Sequence, residues 1–116
     1  MLAAAPPPPP FEARVAARVL PFWTPPCDLP SGAVSNVSAV FRLDRSGRLV
    51  GEPIFIDRRT GLQINPRKPG EVSDGAIPAA GRAKIAIVAA LPLDRVPPDW
   101  VGRSIRVNFN AQAACS

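Results

Sequence analysis

The chain has 116 residues, of which sixteen are proline and none is histidine, and its formal net charge is +5 at pH 7. That length holds one small domain with flanking segments and no more. The lack of histidine excludes every site that pairs cysteine with histidine, whether it binds a metal or activates a catalytic thiol.

The basic residues are dispersed, with fourteen Lys and Arg against nine Asp and Glu, as is typical of a solvated surface. Nucleic-acid binding is disfavoured because the chain has no Tyr and no suitable run of Phe and Arg for base stacking. No stretch of about 18 uncharged apolar residues is present, and no signal peptide follows Met1. We expect either a cytosolic chain or a piece of a longer protein, and the proline-rich start favours the piece.

The first residues predict a spacer followed by a helix. Residues 1–10 end in five consecutive prolines, which take the stiff polyproline II form. Phe11, Val15 and Val19 then recur at four-residue spacing and predict a short amphipathic helix. Pro21 ends it because proline has no N–H group to continue the helix.

A β-hairpin follows, in which four apolar residues recur two apart along the first strand, while Ser38 and Arg42 point to the other face. The apolar positions are Val37, Ala39, Phe41 and Leu43. Asp44 and Gly47 are the residues that a type I turn prefers at its first and fourth positions, so the return strand is predicted over Arg48–Asp57. Pro53 cannot donate to a ladder, which indicates that this strand lies at a sheet edge or contains a bulge.

A second helix is predicted from Gly75 to Ala90, capped by Asp74 and with Pro78 in its first turn. Its predicted buried stripe is Ile77, Ala80, Ala83, Ile87 and Leu91. After a proline-rich connection, the stretch Ile105–Asn110 alternates apolar with polar residues and predicts a third strand.

These elements predict the α+β class, with a small three-stranded antiparallel sheet in the order second, first, third strand. A long helix packs on one face of the sheet, together with the short N-terminal helix. The third strand is then an exposed edge. We expect residues 1–10 to be the remnant of a proline-rich spacer, 11–110 the domain and 111–116 a tail.

Two cysteines, Cys27 and Cys115, flank the predicted fold. They are either two unrelated thiols or a disulfide that closes a loop of more than about 80 residues and stabilises the domain by about 4 kcal/mol. A disulfide would imply an oxidising compartment.

The loop between Arg58 and Ser73 is longer than compact domains usually contain. Its basic residues are Arg58, Arg59, Arg67 and Lys68. The loop is either a solvated insertion or a basic contact surface for an acidic partner or for lipid head groups.

Nothing in the sequence assembles a catalytic site. Asp44, Glu52 and Asp57 could in principle act as an acid and base pair, but Asp44 is needed by the turn. No phosphate-binding glycine loop and no nucleophile elbow is present. We therefore expect no enzyme, no cofactor and no metal site.

Three stretches together resemble the C-terminal domain of the TolA/TonB family: the hairpin Phe41–Pro53, the alanine-rich helix that leads into Leu91-Pro92-Leu93, and the closing strand Ile105–Asn110. Pro97-Pro98 followed by Trp100 adds to the resemblance. The family often carries a cysteine at the position of Cys27, but its second cysteine falls where this chain has Ala89-Ala90. The resemblance therefore does not favour a pair between Cys27 and Cys115.

The resemblance implies a periplasmic binding domain whose full-length protein is anchored in the inner membrane of a Gram-negative cell. A proton-driven motor pulls on the anchor, and the domain contacts periplasmic or outer-membrane proteins by strand addition. The binding edge implied is Ile105, Arg106, Val107, Asn108, Phe109 and Asn110. We expect a monomer with no nucleic-acid partner and no small-molecule substrate; the alternative is a free-standing periplasmic or secreted interaction domain without a motor.

Overall fold

The computed structural model describes residues 10–30 and 34–116. Its helices and strands, in chain order, are α1 (Pro10–Val19), β1 (Val37–Phe41), β2 (Ile54–Asp57), α2 (Ala76–Ala90), β3 (Ile105–Phe109) and α3 (Ala111–Ala114). Nearly all of the predicted spacer, residues 1–9, lies outside the described residues. Within the described ranges, no helix has both the length and the apolar character needed to cross a membrane.

The three strands form one antiparallel sheet in the order β2-β1-β3, which confirms the predicted class and strand order. In the centre of the sheet, Val40 of β1 lies opposite Ile54 of β2 and Arg106 of β3. Because the chain between β2 and β3 passes through α2, it can cross over β1 and place β3 on the far side. β3 is therefore one edge of the sheet.

The hydrophobic core lies between one face of the sheet and the helices α1 and α2. Val37, Ala39 and Phe41 of β1 are at most 3% exposed, and the apolar residues of β3 are buried with them. The strand period of two puts these side chains on one face, as the alternating sequence predicts. From α1 the core receives the whole predicted stripe, Phe11, Val15 and Val19.

The second helix is shorter than the long helix that we predict, with 15 residues. It ends at Ala90 because Leu91 is extended (φ −95°, ψ 155°), and a residue before proline is disfavoured in the helical conformation. Its first turn has no side-chain cap, and the N-cap position is Gly75 at φ 81°, so the predicted capping role of Asp74 is wrong.

The buried stripe of α2 differs from the predicted one. Its buried residues are Ala76, Ala79, Ala80, Ala83, Ala86, Ile87 and Ala90. Ile77 and Leu91, which we predict to be in the stripe, are half-buried and contact the core from its margin. Alanine alone cannot mark the buried face by its hydrophobicity, because it also occupies the exposed face of this helix.

The predicted turn forms, but the return strand is interrupted. The N–H group of Gly47 donates to the carbonyl oxygen of Asp44 at 3.0 Å, and Gly47 has φ 82°. Leu43 and Leu49 form one isolated bridge, and regular pairing resumes only at Ile54. Between them the chain bulges through residues 51–53, where glycine takes a positive φ and proline lacks an N–H group.

Cys27 and Cys115 form a disulfide, with their Cα atoms 5.2 Å apart and a separation of 88 positions in sequence. Of the two alternatives left open by the sequence, the structure has the bridge. It joins the segment after α1 to the residue after α3, so the residues that we predict as a tail are tied to the domain. Ala111 in α3 is fully buried.

Candidate functional site

The outer side of β3 carries the backbone groups of the predicted binding edge. Along an antiparallel strand, the N–H and C=O groups of successive residues point alternately to one neighbour and to the other. Arg106 shows which residues point outward, because its N–H group donates to Oε2 of Glu12 in α1 at 2.9 Å rather than to β1. The same alternation directs the N–H and C=O groups of Asn108 away from the sheet.

Asn108 is the open position of this edge. Among the described residues, no hydrogen bond from the chain reaches its backbone N–H or C=O group. Its side chain is held on the sheet face opposite the helices, where Oδ1 accepts a hydrogen bond from Oγ of Ser38 at 2.7 Å. The side chain therefore leaves the outward backbone groups accessible to a foreign strand.

The predicted edge is one residue too long, because β3 ends at Phe109. Asn110 is the N-cap residue of α3, and its carbonyl oxygen accepts the N–H group of Ala114 at 3.1 Å. Its side-chain oxygen accepts a hydrogen bond from Nη1 of Arg58. The chain therefore turns away from the strand direction at Asn110.

The opposite edge of the sheet, at β2, is closed by the chain itself. The N–H group of Asp57 donates to the carbonyl oxygen of Leu62 at 2.9 Å, and the N–H group of Ile64 donates to that of Phe55 at 2.8 Å. These two bonds form an isolated bridge around Gln63. We call residues 62–64 the return segment. It occupies the N–H group of Asp57 and the C=O group of Phe55, two of the groups that β2 would otherwise offer to another chain.

Asp57 holds the return segment in place. Its carboxylate is fully buried and accepts hydrogen bonds from the N–H groups of Ser73 (2.7 Å) and Arg59 (3.1 Å) and from the hydroxyl of Thr60 (3.1 Å). Burial raises the pKa of Asp57, but these hydrogen bonds lower it by more, so the net shift of the pKa is downward. The ionised carboxylate of Asp57 thus stabilises the loop that closes β2.

Of the four residues of the predicted basic loop, Arg58 and Arg59 precede the return segment, and Arg67 and Lys68 follow it. Arg58 bonds to Asn110 at the end of β3, and Lys68 forms an exposed ion pair with Glu71 at 4.0 Å. Arg59 and Arg67 are exposed. No hydrogen bond or ion pair joins any two of these four side chains in the described structure, and their role as a contact surface stays a prediction.

The acidic residues considered for catalysis are in three separate settings. Within the turn, Asp44 accepts hydrogen bonds from the hydroxyl of Ser46 and from the N–H groups of Arg48 and Ser46, and these bonds hold its pKa below the ordinary value. Glu52 forms an exposed ion pair with Lys84 at 3.3 Å, and Asp57 fastens the loop. Within residues 10–30 and 34–116, no three acidic or cysteine side chains gather in a metal-binding arrangement.

Two contributors to these edges have no clear signal in the sequence. Glu12 looks like an ordinary acidic residue of a helix first turn, and only the tertiary structure brings it to Arg106. The return segment is only three residues long between a glycine and an Asn-Pro pair, which is too short for its alternation to predict a strand. The run Asp57-Arg58-Arg59-Thr60-Gly61 is the one available hint, since its aspartate and glycine are typical of a turn.

Neither the family models, nor the curated proteins, nor the solved structures match this chain. The TolA/TonB interpretation is therefore based on the residues and on the arrangement of the sheet alone.

Proposed function

We propose that residues 11–110 are the C-terminal binding domain of a TolA/TonB-like energy transducer, which captures a periplasmic or outer-membrane protein by strand addition to β3. The observation that carries the proposal is the difference between the two sheet edges. The return segment closes β2, whereas the backbone of Asn108 has no partner among the described residues. An unpaired strand edge is a template for another chain, because main-chain hydrogen bonds can extend the ladder.

The incoming strand competes with Glu12 for the backbone N–H group of Arg106. At Asn108 it finds an N–H donor and a C=O acceptor ready to pair, but at Arg106 it has to displace the carboxylate of Glu12 from the N–H group. Glu12 is half-buried at the surface, so the exchange replaces one hydrogen bond by another and costs little. Pairing therefore starts at Asn108 and extends to Arg106.

The attachment of the spacer favours force transmission to this edge. The spacer joins the domain at Pro10, the first residue of α1. The next two residues contact β3 and the segment that precedes it. Phe11 packs on Trp100 with ring centroids 5.3 Å apart, and Glu12 accepts a hydrogen bond from the N–H group of Arg106. Tension on the spacer is applied beside the strand that holds the partner, as a pulling device requires.

The disulfide supports the same proposal in two ways. It is the kind of bond that persists in an oxidising compartment such as the periplasm. It also gives a short covalent route from α1, through Cys27 and Cys115, to the residues that follow β3. A load can therefore reach β3 from its C-terminal end without passing along the chain from residue 28 to residue 104.

A matched pair of variants at one position tests the proposal. Asn108→Pro removes the outward N–H group, whereas Asn108→Ala keeps it and removes only the bond to Ser38. The 116-residue chain and both variants are used to capture proteins from a Gram-negative envelope extract, and melting temperatures confirm that all three are folded. We expect capture by the wild type and by Asn108→Ala and loss of capture by Asn108→Pro. Equal capture by folded Asn108→Pro would refute strand addition at β3.

Asn108 is a sharper target than Val107, where a proline also removes a ladder donor. By the alternation of the strand, the N–H group of Val107 points to β1, opposite Ala39. We therefore expect Val107→Pro to weaken the fold itself, with a lower melting temperature and a loss of capture that follows from unfolding.

A further inference from the structure

The strand-addition proposal makes no use of the side chains on the face of the sheet that points away from the helices. Strand alternation places eight residues on this open sheet face: Ser38, Val40, Arg42, Ile54, Ile56, Arg58, Arg106 and Asn108. None of them belongs to the hydrophobic core cluster, which is built on the other face. The side chain of Ile54 is 42% exposed on this face, whereas the helices cover the opposite face of the sheet.

The three arginines of the open sheet face carry charge that no carboxylate balances. In the described residues, the ion pairs involve Lys68, Arg82 and Lys84, and none involves Arg42, Arg58 or Arg106. Arg58 bonds to a neutral amide. Asp57 is on the core face, and the carboxylate of Glu12 accepts a hydrogen bond from the backbone N–H group of Arg106, not from its guanidinium group. The face therefore has a net positive charge, carried by its three arginines.

The charges lie around an apolar centre. Arg42 is paired through its backbone with Val50, and Arg58 with Asn36 at the other end of β1. Six residues of extended chain separate the two positions on β1, which is about 20 Å at about 3.4 Å per residue. Val40, Ile54 and Ile56 lie between them, next to the side chains of Ser38 and Asn108, which are hydrogen-bonded to each other. A ligand that fits this face has negative charge at two ends and apolar groups between.

We propose that the open sheet face binds an acidic, extended polypeptide segment of a partner protein, with carboxylates at the arginines and aliphatic side chains on the apolar centre. Charge complementarity selects the partner, since three unpaired arginines attract carboxylates and repel basic segments. A single-stranded nucleic acid fits less well because the face has no aromatic side chain on which bases could stack. The proposal does not depend on strand addition, because it uses side chains of all three strands rather than the backbone of β3.

The probe is a seven-residue peptide with blocked ends, Glu-Thr-Val-Thr-Val-Thr-Glu, in which two glutamates and two valines share one face. Its control is the same peptide with glutamine for glutamate. Binding to the 116-residue chain is followed by NMR shifts of backbone amides at low salt. We expect the glutamate peptide to shift the amides of residues 40, 54 and 106, and the glutamine peptide to bind at least tenfold more weakly.

Arginine variants locate the site. Arg42→Gln, Arg58→Gln and Arg106→Gln should each weaken the glutamate peptide about fivefold, the factor expected for one ion pair in water. The corresponding lysine variants should restore most of the affinity. Arg67→Gln is the matched control, because this exposed arginine lies off the face, and it should leave the affinity unchanged. Equal loss in Arg67→Gln, or no loss in the three face variants, would overturn the proposal.

Two further results separate this inference from the proposed function. If Asn108→Pro abolishes peptide binding while the arginine variants do not, the peptide is adding to β3, and the inference fails while strand addition stands. If Asn108→Pro loses envelope capture but keeps peptide binding, both proposals stand. Tighter binding of a uridine oligonucleotide than of the glutamate peptide would overturn the choice of an acidic polypeptide.

Discussion

Replacement of Asp57 by asparagine is expected to loosen the loop that closes β2. Asparagine has one acceptor oxygen where aspartate has two, so the hydrogen bond to the N–H group of Arg59 or the pair to Thr60 and Ser73 is lost. A hydrogen bond to a charged group contributes about 1.5–3 kcal/mol. At least one such bond is lost, and the remaining bonds have an uncharged acceptor. We therefore expect the free energy of unfolding to fall by about 2–3 kcal/mol.

Urea denaturation measures this change, with Asp94→Asn as the control because Asp94 is exposed. With an m-value of about 1–2 kcal/mol/M, the midpoint of Asp57→Asn should fall by about 1–3 M, while that of Asp94→Asn stays within about 0.3 M of the wild type. Amide exchange should accelerate at residue 57 and at Ile64, whose N–H groups hold the return segment. An unchanged midpoint with full protection at Ile64 would refute the role of Asp57.

The same variant has a defined pH dependence. Because the folded protein lowers the pKa of Asp57 below its unfolded value of about 3.9, the carboxylate stabilises the fold fully above that value. The stabilisation is lost as the pH falls through the lowered folded pKa. The difference in stability between wild type and Asp57→Asn should therefore be constant from about pH 5 to pH 8 and shrink below about pH 4. A difference that does not change with pH would contradict ionisation of Asp57.

Three further predictions concern the bridge, the turn and the monomer. Reduction of the Cys27–Cys115 disulfide should lower the free energy of unfolding by about 4–5 kcal/mol, because it releases the entropy of a loop that spans 88 positions. Thermal melts with and without reductant measure this loss. An unchanged melting temperature would contradict the stabilising role of the disulfide. Gly47→Ala should lower the free energy of unfolding by at least about 2 kcal/mol, because its Cβ would lie 2.0 Å from the carbonyl oxygen of Leu93. Gly61→Ala is the control: its Cβ meets no atom within 4 Å, so it should lower the free energy of unfolding by only about 1 kcal/mol for its positive φ. Equal losses of stability in chemical denaturation would count against the close approach at Gly47. Light scattering should give a monomer, since one sheet edge is closed and Glu12 covers part of the other; a stable dimer paired through β3 would contradict this.

The sheet could be predicted from sequence because its signals are local. Val37, Ala39 and Phe41 recur at every second position, the apolar residues of β3 alternate with polar ones, and the turn between the first two strands has residues of defined preference. The strand order followed from the helical connection to β3, because that connection is long enough to cross the sheet.

The remaining features depend on contacts distant in sequence. Glu12 meets Arg106 across 94 residues, and Cys27 meets Cys115 across 88. No local pattern specifies either pair. The cap and the stripe of α2 were wrong for a different reason, because an alanine-rich helix has little contrast between its faces and Gly75 can begin a helix without a capping side chain.

Amide hydrogen exchange along β3 tests the central claim most directly. In the free protein, the outward amide of Asn108 should exchange rapidly, while the inward amides of Val107 and Phe109 are strongly protected. A captured partner should then protect Asn108 and leave Ile64, at the closed edge, unchanged. Protection of Asn108 in the free monomer equal to that of Val107 would show that this edge is already occupied and would contradict strand addition at β3.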